Sequence, residues 1–340
     1  LKFTNIFTAW AAPFNALWPA NSGFFHGRGL ALASVKKYAV LLALCTQLAP
    51  ALADTYVLPS ADDSVVGWAG EVQARHEDTL ADIAREFQVG HTEMRLANPG
   101  IDFWLPGEGT PVRIPTRYVL PDADRKGIVL NVPEMRLYYF PEEQHFGDPV
   151  VVTYPVSIGR MDWSTPLGIT RVTSKVKNPS WTPPQSILEE AAEAGEPLPR
   201  FIPPGPDNPL GEHALRLGLP SYLIHGTNRP YGVGMRVTHG CVRMYPEDIE
   251  RLFSEVTVGT PVNIVNQPIK LGWLQDTLFI EVHPPLEEDT ASQGELQRIA
   301  LELIKQADSE RPVELLGRNL QRALREQSGM PVAISRGTEM

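Results

Sequence analysis

Cysteine is nearly absent from this 340-residue chain, which carries two thiols, Cys45 and Cys241. Basic charge is also short. Lys and Arg number 30 against 40 Asp and Glu, a net charge of -10, and that excess of acid argues against nucleic acid as a partner. The apolar run Tyr38 to Leu48 is too short to span a bilayer. No methionine occurs before Met94, and the first residue is Leu1. Proline, by contrast, is plentiful at 32 residues, which suits strands, extended connections and rigid loops better than a helical bundle. The apolar share of 43% and the length suit a globular protein of two or three modest domains with a sizeable core.

The N-terminal part reads as a secretory signal. Lys36 and Lys37 give a basic start, Tyr38 to Leu48 a short apolar stretch, and Ala51-Leu52-Ala53 a small-x-small cleavage site before Asp54. Residues 35–53 are therefore expected to be removed, and 1–34 to be an extension outside the fold, with a true start at Val35 as one explanation. Cys45 lies inside that signal, and Leu44 before it is not the small residue a lipid anchor needs. The mature chain is left with Cys241 alone, a thiol with no disulfide partner in its own chain. It stays open to oxidation, so its reduced state depends on an external reductant.

Cys241 sits in the run Thr238-His239-Gly240-Cys241-Val242-Arg243, with Ile224-His225-Gly226-Thr227 upstream. A sulfur nucleophile needs a base to form its thiolate and donors for the oxyanion that follows. A free thiol titrates near about 8.5, so an imidazole in reach matters at neutral pH. His225 ends an apolar run; His239 lies two residues before Cys241 and shares its face if the segment is extended. Spacing does not choose between them. Gly240 lets the backbone approach a substrate carbonyl, and the amides of Gly240 and Cys241 are candidate oxyanion donors. Arg243 suits a substrate carboxylate. Zinc takes three or four protein ligands, and no further Cys or paired His lies near this run, so no metal is expected.

Around this motif, residues 127–265 are dense in β-branched and aromatic runs: 128–132, 136–140, 150–156, 169–176, 222–224 and 262–265. One helix is expected over Ser186 to Ala194, opened by a Ser186/Glu189 capping box, and another from Pro246 with acids in its first turn. The Pro-rich insertion 177–211 is expected to form a lid or substrate wall. Residues 266–340 read as a helical accessory tail, with apolar stripes at Leu296, Ile299, Ala300, Leu303, Ile304 and at Val313, Leu316, Leu320, Ala323, Leu324.

Ahead of this, 71–115 reads as strand, helix, helix, strand: Val72-Gln73-Ala74, a helix capped by Thr79 with Asp82 three residues on, a second helix from about Thr92 ended by Asn98-Pro99-Gly100, and Val112 to Pro115. The module resembles a LysM domain at Asp78-Thr79-Leu80, Ile83-Ala84, Phe87, Asn98-Pro99 and Val112-Arg113-Ile114-Pro115. That resemblance implies binding of the N-acetylglucosamine-containing glycan of cell walls. Arg75-His76-Glu77-Asp78 departs from the Gly-Asp turn common at its start.

The pattern His225-Gly226-Thr227, then Thr238-His239-Gly240-Cys241-Val242-Arg243, resembles the active-site signature of the L,D-transpeptidases, the YkuD-type catalytic domain. Asn131-Val132, Met135 to Tyr139, Gly159, Thr165-Pro166, Trp181-Thr182-Pro183, Gly195 to Pro199, Pro204 to Pro209, Glu281-Val282-His283 and Ser328 to Val332 extend the likeness to the periplasmic branch, which includes enzymes that attach a Braun-type lipoprotein to peptidoglycan. The resemblance implies a mainly β, YkuD-like β-sandwich with a short helix after the cysteine. It also implies Cys241 as nucleophile, His225 as proton acceptor and donor, and His239 as support to the oxyanion region with the Gly240 amide. Thr238, Gly226, Thr227 and Arg243 fall to substrate binding. The implied substrate is the stem peptide of peptidoglycan, cleaved between meso-diaminopimelate and D-alanine through a thioester. The implied acceptor is a lipoprotein lysine, another diaminopimelate, or water, the last giving a carboxypeptidase. No cofactor is implied, and the implied location is the periplasm of a Gram-negative bacterium. A wall-binding protein with an inactive catalytic domain is the other reading. A Cys-His endopeptidase of the NlpC/P60 kind is disfavoured, because its Cys usually precedes its His.

Overall fold

The computed structural model describes residues 55–58, 63–142, 149–289 and 292–336. The signal over 35–53, the extension 1–34 and Cys45 lie outside the described residues. The described chain opens with β1 (Thr55–Val57), β2 (Val65–Gly67) and β3 (Gly70–Gln73), then α1 (Leu80–Glu86), α2 (His91–Ala97), β4 (Pro111–Ile114) and β5 (Arg117–Val119). Next come β6 (Gly127–Asn131), β7 (Arg136–Phe140), β8 (Val150–Pro155), β9 (Ile158–Gly159) and β10 (Gly168–Lys177). The helix α3 (Gln185–Glu193) leads to β11 (His213–Leu217), β12 (Leu223–His225), β13 (Arg236–Thr238) and β14 (Val242–Arg243), followed by α4 (Pro246–Glu255) and β15 (Pro261–Val265). The chain closes with β16 (Ile269–Leu274), β17 (Thr277–Val282), α5 (Gln293–Glu310), α6 (Gly317–Glu326) and β18 (Val332–Ala333).

A nine-stranded sheet in the order β1-β8-β7-β6-β15-β10-β11-β12-β14 is the frame. Its strands alternate between two cores, as a period of two requires. Ile128, Leu130, Leu137, Tyr139 and Val152 enter one core with Ile224 and Val242 from the far end of the sheet and Ile249 and Leu252 of α4. Residues from near both ends of the order meet in one cluster, so the sheet curls. Val129, Tyr138, Phe140 and Val151 face the other way, onto Val66, Tyr118 and Leu120. Burial on both faces explains why these runs read as continuously apolar.

Between 70 and 114 the order strand, helix, helix, strand is present, with β3 antiparallel to β4 around Leu80, Ile83, Met94 and Val112. Thr79 and Asp82 form the expected capping box on α1. Two expectations need correction. The tail is not simply helical: β16, β17 and β18 form an antiparallel sheet against which α5 and α6 pack. Its hairpin turns at Gln275-Asp276, with Gln275 at φ +53. The second correction is at α3, which starts one residue early after Pro184, without a side-chain cap. Glu189 accepts instead from Gln185 Nε2 at 2.8 Å, so the Ser186/Glu189 box does not form. Among the described residues no helix is long and apolar enough to cross a membrane.

Candidate active site

The sheet puts the two halves of the motif side by side. β12 and β14 pair in parallel, with His225 opposite Arg243 and Ile224 opposite Val242. Met244 N donates to His225 O at 2.9 Å, and Ser157 exchanges two backbone bonds with Arg243 at 2.8 and 3.0 Å. Cys241 immediately precedes β14, so its backbone is held by a strand at the sheet's edge.

Cys241, His225, His239, Thr238 and Arg243 line one cavity of about 320 Å³. Its other walls come from Trp163, Tyr222, Trp181, Ile187 and Leu210. The insertion expected to be a lid or wall thus supplies Trp181, Ile187 and Leu210.

The His225 ring is buried, and its Nδ1 lies 2.6 Å from Gly226 O. A carbonyl only accepts, so Nδ1 carries the proton and Nε2 is left with its lone pair. Burial, then the Arg243 charge, press this imidazole down to about 4. Burial likewise pushes the Cys241 thiol up, opposed by the Leu223 amide and Arg243. Both groups are therefore neutral at pH 7, and the thiol donates to Ser221 O at 3.6 Å. Among the described residues no hydrogen bond joins it to either imidazole. This is a resting thiol and imidazole, not an ion pair.

Gly240 has φ +94, a conformation that favours glycine. A Cβ there would sit 2.6 Å from Tyr222 Cε1. Its carbonyl accepts from Thr165 Oγ1 at 3.0 Å, and the Cys241 carbonyl from Thr238 Oγ1 at 2.6 Å. A trans peptide points its N–H away from its C=O, so anchoring Gly240 O turns the Cys241 amide the opposite way. Neither the Gly240 nor the Cys241 amide has a backbone acceptor among the described residues. Gly240→Ala is expected to lower stability by about 1–3 kcal/mol and activity by more than tenfold. Urea unfolding alongside a rate assay checks it, and wild-type values for both would refute it.

Arg243 is half-buried, its Nε has no hydrogen-bond partner, and among the described residues no ion pair joins its guanidinium to an acid. Burial, then the nearby Arg229 charge, lower its pKa. A guanidinium without an ion pair at a cavity wall is chemically able to take an anion. His239 is placed differently from His225: its Nε2 meets Glu190 Oε2 of α3 at 2.9 Å, and its ring lies edge-on to Trp163 at 5.3 Å. Gly226 and Thr227 are not part of the cavity wall. A Cβ at Gly226 would lie 3.1 Å from Ile249 Cγ2, and Thr227 Oγ1 accepts from Arg229 N at 2.9 Å. Thr238 lines the cavity while its hydroxyl fixes the Cys241 loop. The residues missed in the sequence are Tyr222, Trp163, Glu190, Arg160 and Arg229, none of which belongs to a local motif.

Outside the residues that line this cavity, Glu134, Glu281 and His283 bring three ligand-type atoms together, all buried. Lys270 Nζ lies 2.6 Å from Glu134 and 2.8 Å from Glu281, so an ammonium already supplies the cluster's positive charge.

A neutral thiol and imidazole beside amides with no backbone acceptor, on the edge of a curled sheet, are the parts a thiol nucleophile needs. Residues 125–264 match the YkuD family, the L,D-transpeptidase catalytic domain. "Probable L,D-transpeptidase YcfS" of Escherichia coli K12 is 40% identical over 88% of this chain and 92% of its own length. "Probable L,D-transpeptidase YbiS" of the same strain is 39% identical over 88% and 97%. The solved L,D-transpeptidase 3 from Mycobacterium tuberculosis overlaps 62% of this chain and 97% of its own, at 18% identity and a TM-score of 0.30. The chain belongs to the L,D-transpeptidase family, as an enzyme with a YkuD catalytic domain.

Proposed function

We propose that this enzyme acts on peptidoglycan stem peptides by a thioester route. The observation that carries the reading is the cavity in which Cys241 and a buried, neutral His225 stand beside an unpaired Arg243. His225 Nε2 takes the Cys241 proton as sulfur attacks the carbonyl at the L-centre of meso-diaminopimelate. The Gly240 and Cys241 amides receive the oxyanion. Collapse breaks the bond to D-alanine, whose amine leaves with the proton from His225. An amine then attacks the thioester, passes its proton to His225, and frees the thiolate, which takes that proton back. Arg243, with Arg229 behind it, meets a substrate carboxylate.

The acceptor is a lipoprotein lysine or a second diaminopimelate, and water gives the carboxypeptidase outcome. The module of β3, α1, α2 and β4 serves as a LysM-type glycan holder. In support, Trp104 and Leu105 stand exposed in the loop after α2, an apolar face open to sugar rings. Export by the signal within 35–53 puts the enzyme in the periplasm.

The purified protein incubated with disaccharide-tetrapeptide, with and without a lysine-ended lipoprotein peptide, tests the reading. Mass spectrometry is expected to show D-alanine lost, a product joined through the third stem residue, and an acyl adduct on Cys241. Tripeptide alone identifies water as the acceptor. No product from any donor, with the thiol reduced, refutes acyl transfer and favours a wall-binding protein.

A further inference from the structure

The insertion between β10 and β11 is tied off at its base. Asn208 Nδ2 donates to Pro179 O at 2.8 Å and to Pro203 O at 3.1 Å, and Trp181 and Ile202 exchange backbone bonds of 2.8 Å. Residues 179–208 thus form a loop closed on its own backbone, with α3 inside it. One carboxylate of α3 reaches out to the catalytic segment. Glu190 Oε2 meets His239 Nε2 at 2.9 Å, and Glu190 Oε1 meets Arg160 at 2.5 Å. Arg160 N in turn donates to Thr238 O at 3.1 Å. Hydrogen bonds to Arg160, then to His239, hold the Glu190 carboxyl below its usual range, so it is ionised at neutral pH.

An ionised carboxylate only accepts, so it requires the proton on His239 Nε2. In the neutral ring, Nδ1 is then the acceptor nitrogen. The same contact joins the closed loop, which supplies Trp181 and Ile187 to the cavity wall, to the residue two positions before Cys241. The pair is partly exposed, at 38% for Glu190 and 28% for His239, so it adds little to folding stability. Its effect is geometric.

We infer that Glu190 is a positioning residue for acyl transfer: it fixes the tautomer and ring orientation of His239 and makes both depend on the seating of the 179–208 loop. This rests on the reading of the cavity as the acyl-transfer site. The test compares wild type, Glu190→Ala and Glu190→Gln by D-alanine release, thermal midpoint and the imidazole nitrogen signals of His239 in NMR. Glu190→Ala is expected to lower kcat about 10–100-fold with KM changed less than about threefold, leaving the thermal midpoint near wild type. Its His239 signals should shift from a pure Nε2-protonated form to a tautomer mixture. Glu190→Gln keeps an acceptor oxygen and is expected to recover part of kcat and of the Nε2-protonated signal. Unchanged kcat in Glu190→Ala overturns the proposal, as does unchanged His239 tautomer or a fall in kcat matched by a fall in thermal midpoint. If wild type itself releases no D-alanine, the acyl-transfer reading fails, and positioning for that reaction fails with it.

Discussion

Cys241→Ala is expected to abolish D-alanine release, and His225→Ala to lower kcat/KM by about 10²–10⁴-fold while leaving the thiol in place. The two losses differ in kind. Without sulfur there is no thioester. Without His225 the thiol remains, but its proton has no base to accept it. The electrostatics sharpen this into a pH prediction. With His225 held near 4 by burial and Arg243, it stays an available base down to low pH, so the acid limb of kcat/KM should fall near pH 4 rather than at the usual imidazole value of 6.5. Burial raises the thiol above its ordinary value, so alkylation of Cys241 by iodoacetamide without substrate should climb steadily through pH 7 to 9. A plateau of reactivity across the neutral range would mean a thiolate-imidazolium pair and would sink the neutral-pair account. Folding carries the same signature. Between pH 6.5 and 4 the unfolded imidazole binds a proton that the folded one refuses, so stability is full above 6.5 and falls as the pH drops, by about 3 kcal/mol. Unfolding of His225→Ala should lack that part of the acid dependence.

The runs 128–132, 136–140 and 150–156 were legible because β-branched and aromatic residues concentrate there, and the structure has β6, β7 and β8 at those places. His213–Leu217 was not, since the sequence His-Ala-Leu-Arg-Leu holds no β-branched residue; its place comes from pairing with β10 and β12. The hairpin of β16 and β17 carries Gly272 and Lys270 inside it, which hid its strand pattern. At the site, Cys241, His225, His239 and Arg243 share one short stretch, so a local motif exposed them. Glu190 lies 49 residues from His239 and Arg160 a further 30 before that. Nothing local marks a partly exposed Glu on an amphipathic helix as the partner of a distant imidazole. Only the closure of the 179–208 loop brings them together.

Glu93→Ala is expected to destabilise the protein by about 3–5 kcal/mol, through a buried ion pair that sequence patterning does not reveal. Arg136 of β7 is fully buried, and its Nε and one terminal nitrogen each donate to Glu93 of α2 at 2.8 Å. Its remaining bonds go to Thr153 Oγ1 at 3.1 Å and Gln88 O at 3.2 Å, and its guanidinium lies 4.1 Å from the Tyr118 ring centre. Removing the carboxylate strands a desolvated cation, whereas Glu93→Leu with Arg136→Met removes both charges. The double variant should therefore lose less than the two single losses added, read from urea midpoints. An additive result would refute the ion-pair account. The seam also bears on the site. The amides of His91 and Thr92 at the start of α2 donate to Val233 O at 3.0 Å and Gly234 O at 3.1 Å, in the segment between His225 and Cys241. Gly234 permits that approach: at φ +87, a Cβ there would lie 2.4 Å from Gly90 Cα. These bonds fix the module to the segment that leads into Cys241, so a loosened seam is expected to slow D-alanine release even while most molecules remain folded.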